Sequence, residues 1–208
     1  MKKTYKKTFN DIFSTNIDLD NYDFISPICT FDYFDQTQNK ITFIKENNMK
    51  NKINRIFTFF SRVKKLNVKI LIATNNNTSK IILAFLANDK NEYVKIAVAK
   101  NTNADEKILR LLINDKSLRV KHFIINNINV SNELLAILAF DKNEYIRSEV
   151  AKNPNTSFET LLQLANDVKP YVRYSVATNI NVNYDLLALL LNDHIPYIQY
   201  EAYKRMNS

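Results

Sequence analysis

The chain has 208 residues, is 46% hydrophobic and 24% charged, and carries a formal net charge of +8, one cysteine and no glycine. No stretch nears the roughly 18 consecutive apolar residues of a membrane span, and the lone Cys29 excludes an intramolecular disulfide or a multi-cysteine metal site supplied by this chain alone. The lack of glycine removes the phosphate-cradling loops of common nucleotide enzymes, which need backbone freedom at φ above zero.

In chain order, Met1 to Lys7 is basic, but Asn10 and Asp11 interrupt the apolar run a secretory signal would need, so the chain is expected in the cytoplasm. Residues 8–39 hold no Lys or Arg, six aspartates and seven aromatics, among them Phe24, Phe31, Tyr33 and Phe34. That aromatic content argues against disorder. The segment 1–50 reads as an N-terminal cap or extension, with an acidic arm against a basic surface as the other reading.

From about Asn51 to Ser208 a 26-residue repeat takes over. Aspartates recur at Asp89, Asp115, Asp141, Asp167 and Asp193, and four of them follow an asparagine. Val68, Val94, Val120, Ile146, Val172 and Ile198 keep the same step, followed by Lys69, Lys95, Lys121, Arg147, Arg173 and finally Gln199. Two leucine columns run from Leu83 to Leu187 and from Leu86 to Leu190, with Phe57 and Phe60 one step earlier.

Each repeat predicts two helices. In Ser79 to Asn88, Ile82, Leu83, Leu86 and Ala87 form an amphipathic stripe; in Glu92 to Lys100, Val94 and Val98 lie one turn apart. Asparagines such as Asn101, Asn103, Asn153 and Asn155 close the second helix, where glycine is more usual. One pair cannot bury its apolar face alone, whereas stacked pairs can, so the expectation is an all-α fold: an α-solenoid of about six repeats over 51–208, behind an N-terminal capping extension.

The unit Asp-x-x-x-Tyr-(Val/Ile)-(Lys/Arg)-x-x-Val-Ala-Lys-Asn-x-Asn, at Asp89 to Asn103 and Asp141 to Asn155, resembles the leucine-rich repeat variant family and, more loosely, HEAT-like repeats over residues 60–208. The founding type of the variant family carries a cysteine-ligated iron-sulfur domain; with Cys29 alone this chain departs from that, and no cofactor is expected. Resemblance to HEAT-like arrays implies that the aspartate and the basic residue six positions later bridge adjacent turns as a ladder. It also implies that the second helices line a concave side.

On the second helix, positions 93, 96, 97 and 100 lie opposite the apolar stripe. The binding surface expected there comprises Tyr93, Lys100, Arg119, Tyr145, Lys152, Tyr171, Tyr174, Tyr197 and Tyr200, and tyrosine and arginine are enriched at binding hot spots. Exposure is expected for Tyr174 and Tyr200, while the other four tyrosines fit either an exposed or a packed role. Charge is uneven: residues 40–100 hold twelve or more Lys and Arg against Glu46, Asp89 and Glu92, whereas residues 101–208 hold twelve of each sign. Lys64, Lys90, Lys116 and Lys142 form one further column, at the turn between helices, that could contact phosphates or simply be solvated.

The function expected is therefore a non-catalytic scaffold for a macromolecular partner, another protein, through the tyrosine-rich face. The alternative is a nucleic-acid binder that uses the basic 40–100 region and stacking tyrosines. An enzyme is disfavoured. His122 and His194 sit in different columns, and no third group completes a metal site or a triad with them.

Overall fold

Short helices dominate because each repeat supplies its own start and stop signals. The computed structural model describes residues 66–207, which are all-helical and contain no strand. The helices are α1 (Leu66–Thr74), α2 (Lys80–Ala87), α3 (Glu92–Lys100), α4 (Glu106–Leu112), α5 (Leu118–Ile125), α6 (Asn132–Leu138), α7 (Glu144–Lys152), α8 (Phe158–Ala165), α9 (Pro170–Ala177), α10 (Tyr184–Leu191) and α11 (Pro196–Met206). The expected cap over 1–50, the boundary at residue 51, and Phe57, Phe60 and Lys64 lie outside the described residues.

Side-chain oxygens of Asn91, Asp105, Ser117, Ser131, Asn143, Ser157 and Asn183 accept backbone N–H groups in the first turns of α3, α4, α5, α6, α7, α8 and α10. At α9 and α11 a proline in the first turn does this work instead, removing one unpaired donor. Loss of one such cap costs about 1 kcal/mol. Ser131→Ala is accordingly expected to lower the melting temperature by about 2–4 °C, read by circular dichroism.

Helices of this length are marginal in isolation, so packing supplies the stability. Leu83, Leu109, Leu135, Leu161 and Leu187 are buried, as are Leu86, Leu112, Leu138, Leu164 and Leu190 on the first helix of each pair. Val94, Val120, Ile146, Val172 and Ile198 face them from the second. The two helices of each pair pack together, and each second helix also packs on the next, α1 on α3, α3 on α5, and onward to α9 on α11. The predicted leucine columns from Leu83 and Leu86 onward and the predicted valine column from Val94 onward are thus core, while Val68 is half-buried.

The aspartate column does two jobs. One carboxylate oxygen accepts the backbone N–H two residues on, as Asp193 does from Ile195 at 2.9 Å. The other accepts from the basic side chain of the preceding repeat: Lys69 to Asp89, Lys95 to Asp115, Lys121 to Asp141, Arg147 to Asp167 and Arg173 to Asp193. The ladder predicted from the repeat is present, and it runs between adjacent repeats. Both arginines pair through two nitrogens, Arg173 Nε and Nη2 donating to Asp193 at 2.6 and 3.0 Å, and Arg173 Nη1 donates to the Asp167 carbonyl at 2.7 Å. Gln199 keeps only that last kind of bond, to the Asp193 carbonyl.

Burial, the largest single influence, would raise the carboxyl pKa of Asp89, Asp115 and Asp167, but the bonds from Lys69, Lys95 and Arg147, the backbone N–H bonds from Asn91, Ser117 and Lys169 and the nearby positive charges together outweigh it and hold each below the usual aspartate range. For Asp193 the bond from Arg173 is the largest influence and acts in the same direction.

A second ladder was not predicted. Asn101 Nδ2 donates to the Ala73 and Asn75 carbonyls, Asn127 Nδ2 to those of Ala99 and Asn101, and Asn179 Nδ2 to those of Ala151 and Asn153. Asn153 Nδ2 donates to the Ile125 carbonyl at 2.6 Å. Each of these Oδ1 atoms accepts the N–H two residues later. These asparagines therefore do not stand in for glycine. Asn101 and Asn153 have φ of −69° and −67°, and no described residue has positive φ. Their amides reach the last carbonyls of the preceding second helix, those of Ala73, Ala99, Ile125 and Ala151, and the Asn75, Asn101 and Asn153 carbonyls beyond them, which also accept the N–H groups of Thr78, Ala104 and Thr156.

Candidate functional site

The sequence places one large side chain at the second residue of every second helix from α3 to α11: Tyr93, Arg119, Tyr145, Tyr171 and Tyr197. That position follows the N-cap and precedes the first buried valine or isoleucine, so it points away from the core. The four tyrosines are 53%, 41%, 46% and 50% exposed, and Arg119 is also exposed.

Successive repeats bring these side chains together. The Arg119 guanidinium lies 5.3 Å from the Tyr93 ring centroid, and Lys100 Nζ lies 4.8 Å from that of Phe123. Lys152 Nζ sits 5.0 Å from the Tyr171 ring and donates to its hydroxyl at 2.8 Å. Tyr174 and Tyr197 meet edge to face at 5.6 Å. Such cation and ring contacts contribute about 0.5–1 kcal/mol each at exposed sites. Their chief effect here is to hold the exposed side chains in place.

His122 links the middle of this row, with Nδ1 3.0 Å from the Tyr145 hydroxyl and 3.1 Å from Glu149 Oε2. Burial, and then the Glu149 charge, raise the pKa of the Tyr145 hydroxyl. Burial, the largest single influence, works against the Lys152 ammonium, yet its bonds to Tyr171 and Glu149 and their charges together outweigh that and raise its pKa. His122, Phe123 and Glu149 therefore belong to the surface. They stand in the right columns of the sequence, but only the stack shows which neighbours they join.

The face is narrower than the helical wheel implies. Ile96, Ala97, Ser148 and Ser175 are buried, because each second helix is flanked by the second helices of both neighbouring repeats. Ser148 and Ser175 satisfy their hydroxyls on the Tyr145 and Tyr171 carbonyls. Tyr174, expected to be exposed, is half-buried against Tyr197, whereas Tyr200 is 67% exposed as expected. Lys90, Lys116 and Lys142 are exposed at the interhelical turns, and the column is then broken by Val168 and His194.

Comparison with protein-family models, curated proteins and solved structures returns no match. Among the described residues no group of three or more His, Cys, Asp or Glu side chains could hold a metal ion. No described helix is long and apolar enough to cross a membrane.

Proposed function

We propose that the chain is a non-catalytic binding scaffold of the cytoplasm, an α-solenoid of the leucine-rich repeat variant or HEAT-like kind. Its second helices form a concave surface that recognises another protein. The observation that carries this reading is the exposed Tyr93, Arg119, Tyr145, Tyr171, Tyr197 column, kept through five successive repeats. Rings held this way lose little further conformational entropy when a partner covers them, which favours affinity. A solvated helix face with no partner is expected to carry Glu and Lys there instead.

The test compares wild type with the Tyr171→Ala, Tyr200→Ala double variant in affinity capture, with and without nuclease, at low and high salt. Each substitution is expected to weaken binding by about 2 kcal/mol if it removes a hot spot and by no more than about 0.5 kcal/mol if the ring is idle. A thermal melt first checks that the variant folds. Wild-type capture by a folded variant sinks the aromatic surface.

A second reading, nucleic-acid binding along a basic rim, is favoured by the exposed Lys90, Lys116 and Lys142, which pair with no carboxylate among the described residues. Capture lost on nuclease treatment, with a steep fall as salt rises, decides for that reading.

A further inference from the structure

Charge on the second helices is almost entirely internally neutralised. Lys69, Lys95, Lys121, Arg147 and Arg173 are tied up in the aspartate ladder. Lys152 and Lys204 lie 3.3 and 3.8 Å from Glu149 and Glu201. Arg205 donates to the Asn179 carbonyl of the preceding repeat. Two cations remain, Lys100 and Arg119, both exposed and neither within ion-pair reach of a carboxylate among the described residues.

These two are adjacent and held. Arg119 stacks over Tyr93 and Lys100 over Phe123, so each charge is fixed by a ring of the neighbouring repeat. Both lie on α3 and α5, second helices that pack directly on each other, so the two charges share one stretch of the surface. Alternate residues of an extended chain lie on one side of it and about 7 Å apart. Two carboxylates in an Asp-x-Asp arrangement therefore face the same side, as two unpaired cations on one surface require, and Tyr93 and Tyr145 are exposed for apolar neighbours.

We infer that the surface across α3 and α5 binds a short, extended acidic segment of a partner protein, with two carboxylates set on Lys100 and Arg119. The inference rests on the aromatic-surface reading and names the partner's chemistry. A polynucleotide fits this face less well. It needs a track of cations along its backbone, and beyond α5 the track meets Glu149 and Glu201, which already neutralise Lys152 and Lys204.

Fluorescence anisotropy of the full chain with labelled Phe-Asp-Ser-Asp-Phe, its Phe-Asn-Ser-Asn-Phe counterpart and a labelled oligouridine tests this. The Asp peptide is expected to bind about fivefold tighter than the Asn peptide, with about threefold lost on either Lys100→Gln or Arg119→Gln, as for exposed charge pairs. Lys100→Arg should retain binding, and Lys142→Gln should change nothing. Equal binding of the two peptides, no binding of the Asp peptide, or indifference to both glutamine variants overturns the inference. So does an oligouridine that outcompetes the peptide and loses affinity on the same variants. A Tyr93→Ala, Tyr145→Ala variant separates the two readings. Loss on that variant without loss on the glutamine variants leaves the aromatic surface standing and removes the acidic segment, while the reverse pattern removes the aromatic surface.

Discussion

Replacing Asn127 by alanine is expected to destabilise the protein by about 1–3 kcal/mol, because it strands the buried Ala99 carbonyl, while the Asn101 carbonyl keeps the Ala104 N–H as a partner. Asn127 is 6% exposed; its amide nitrogen donates at 2.7 and 3.0 Å to the carbonyls of Ala99 and Asn101, and its oxygen accepts from the Asn129 N–H. Thermal melts should show a fall of about 3–9 °C. Asn127→Asp is the sharper test. The new carboxylate can still accept from Asn129 but sets negative charge against two carbonyl oxygens, so at neutral pH it should be at least as damaging as alanine. As pH falls and the carboxyl protonates, it regains a donor and part of the loss should return. An Asn127→Ala variant within about 0.5 kcal/mol of wild type would mean that the amide ladder contributes nothing measurable.

Arg173→Met is expected to cost about 3–5 kcal/mol, the usual penalty for leaving a buried charge without its partner. The Asp193 side chain is only 5% exposed and Arg173 holds it through two bonds. At the other end, the Lys69 and Asp89 side chains are 23% and 11% exposed and share one hydrogen bond, so Lys69→Met should cost less, about 1–2 kcal/mol. Adding Asp193→Asn to Arg173→Met removes the orphaned charge while keeping the oxygen that caps Ile195, and should recover part of the loss. In wild type the folded-state pKa values of Asp89, Asp115, Asp167 and Asp193 are lowered from 3.8, so their contribution is complete above that pH and drains away as pH falls below it. In Arg173→Met the freed, buried carboxyl titrates higher. The stability gap to wild type should therefore narrow on acidification, and urea midpoints measured across acid pH would read it directly. A gap independent of pH would remove the charge explanation.

The helical pairs, the core columns and the Lys/Arg to Asp ladder were legible in the sequence because each is a periodic signal. Burial demands an apolar side chain at a fixed step, and a buried aspartate demands a cation. The asparagines were just as periodic but admitted a local explanation, as turn residues, and that concealed their reach of 28 and 26 residues back to Ala73 and Asn75 in the case of Asn101. Nothing in the sequence gives the direction of an amide. The surface was only partly readable for a related reason. A wheel describes one helix against one core, whereas Ile96, Ala97, Ser148 and Ser175 are covered by the helices alongside. Tyr93, Tyr145, Tyr171 and Tyr197 escape this by sitting at the helix starts, so their exposure follows from where the preceding turn ends the contact.

Because one carboxylate both shapes its own turn and grips the residue 20 positions earlier, and one amide both shapes its loop and grips carbonyls 26 and 28 positions earlier, spacing within a repeat is fixed from two directions at once. A single residue inserted between Asp167 and Asn179 would put one grip or the other out of register. Length in this protein is therefore quantised: the array can grow or shrink by whole repeats, each bringing one more tyrosine or arginine to the surface, but hardly by anything smaller.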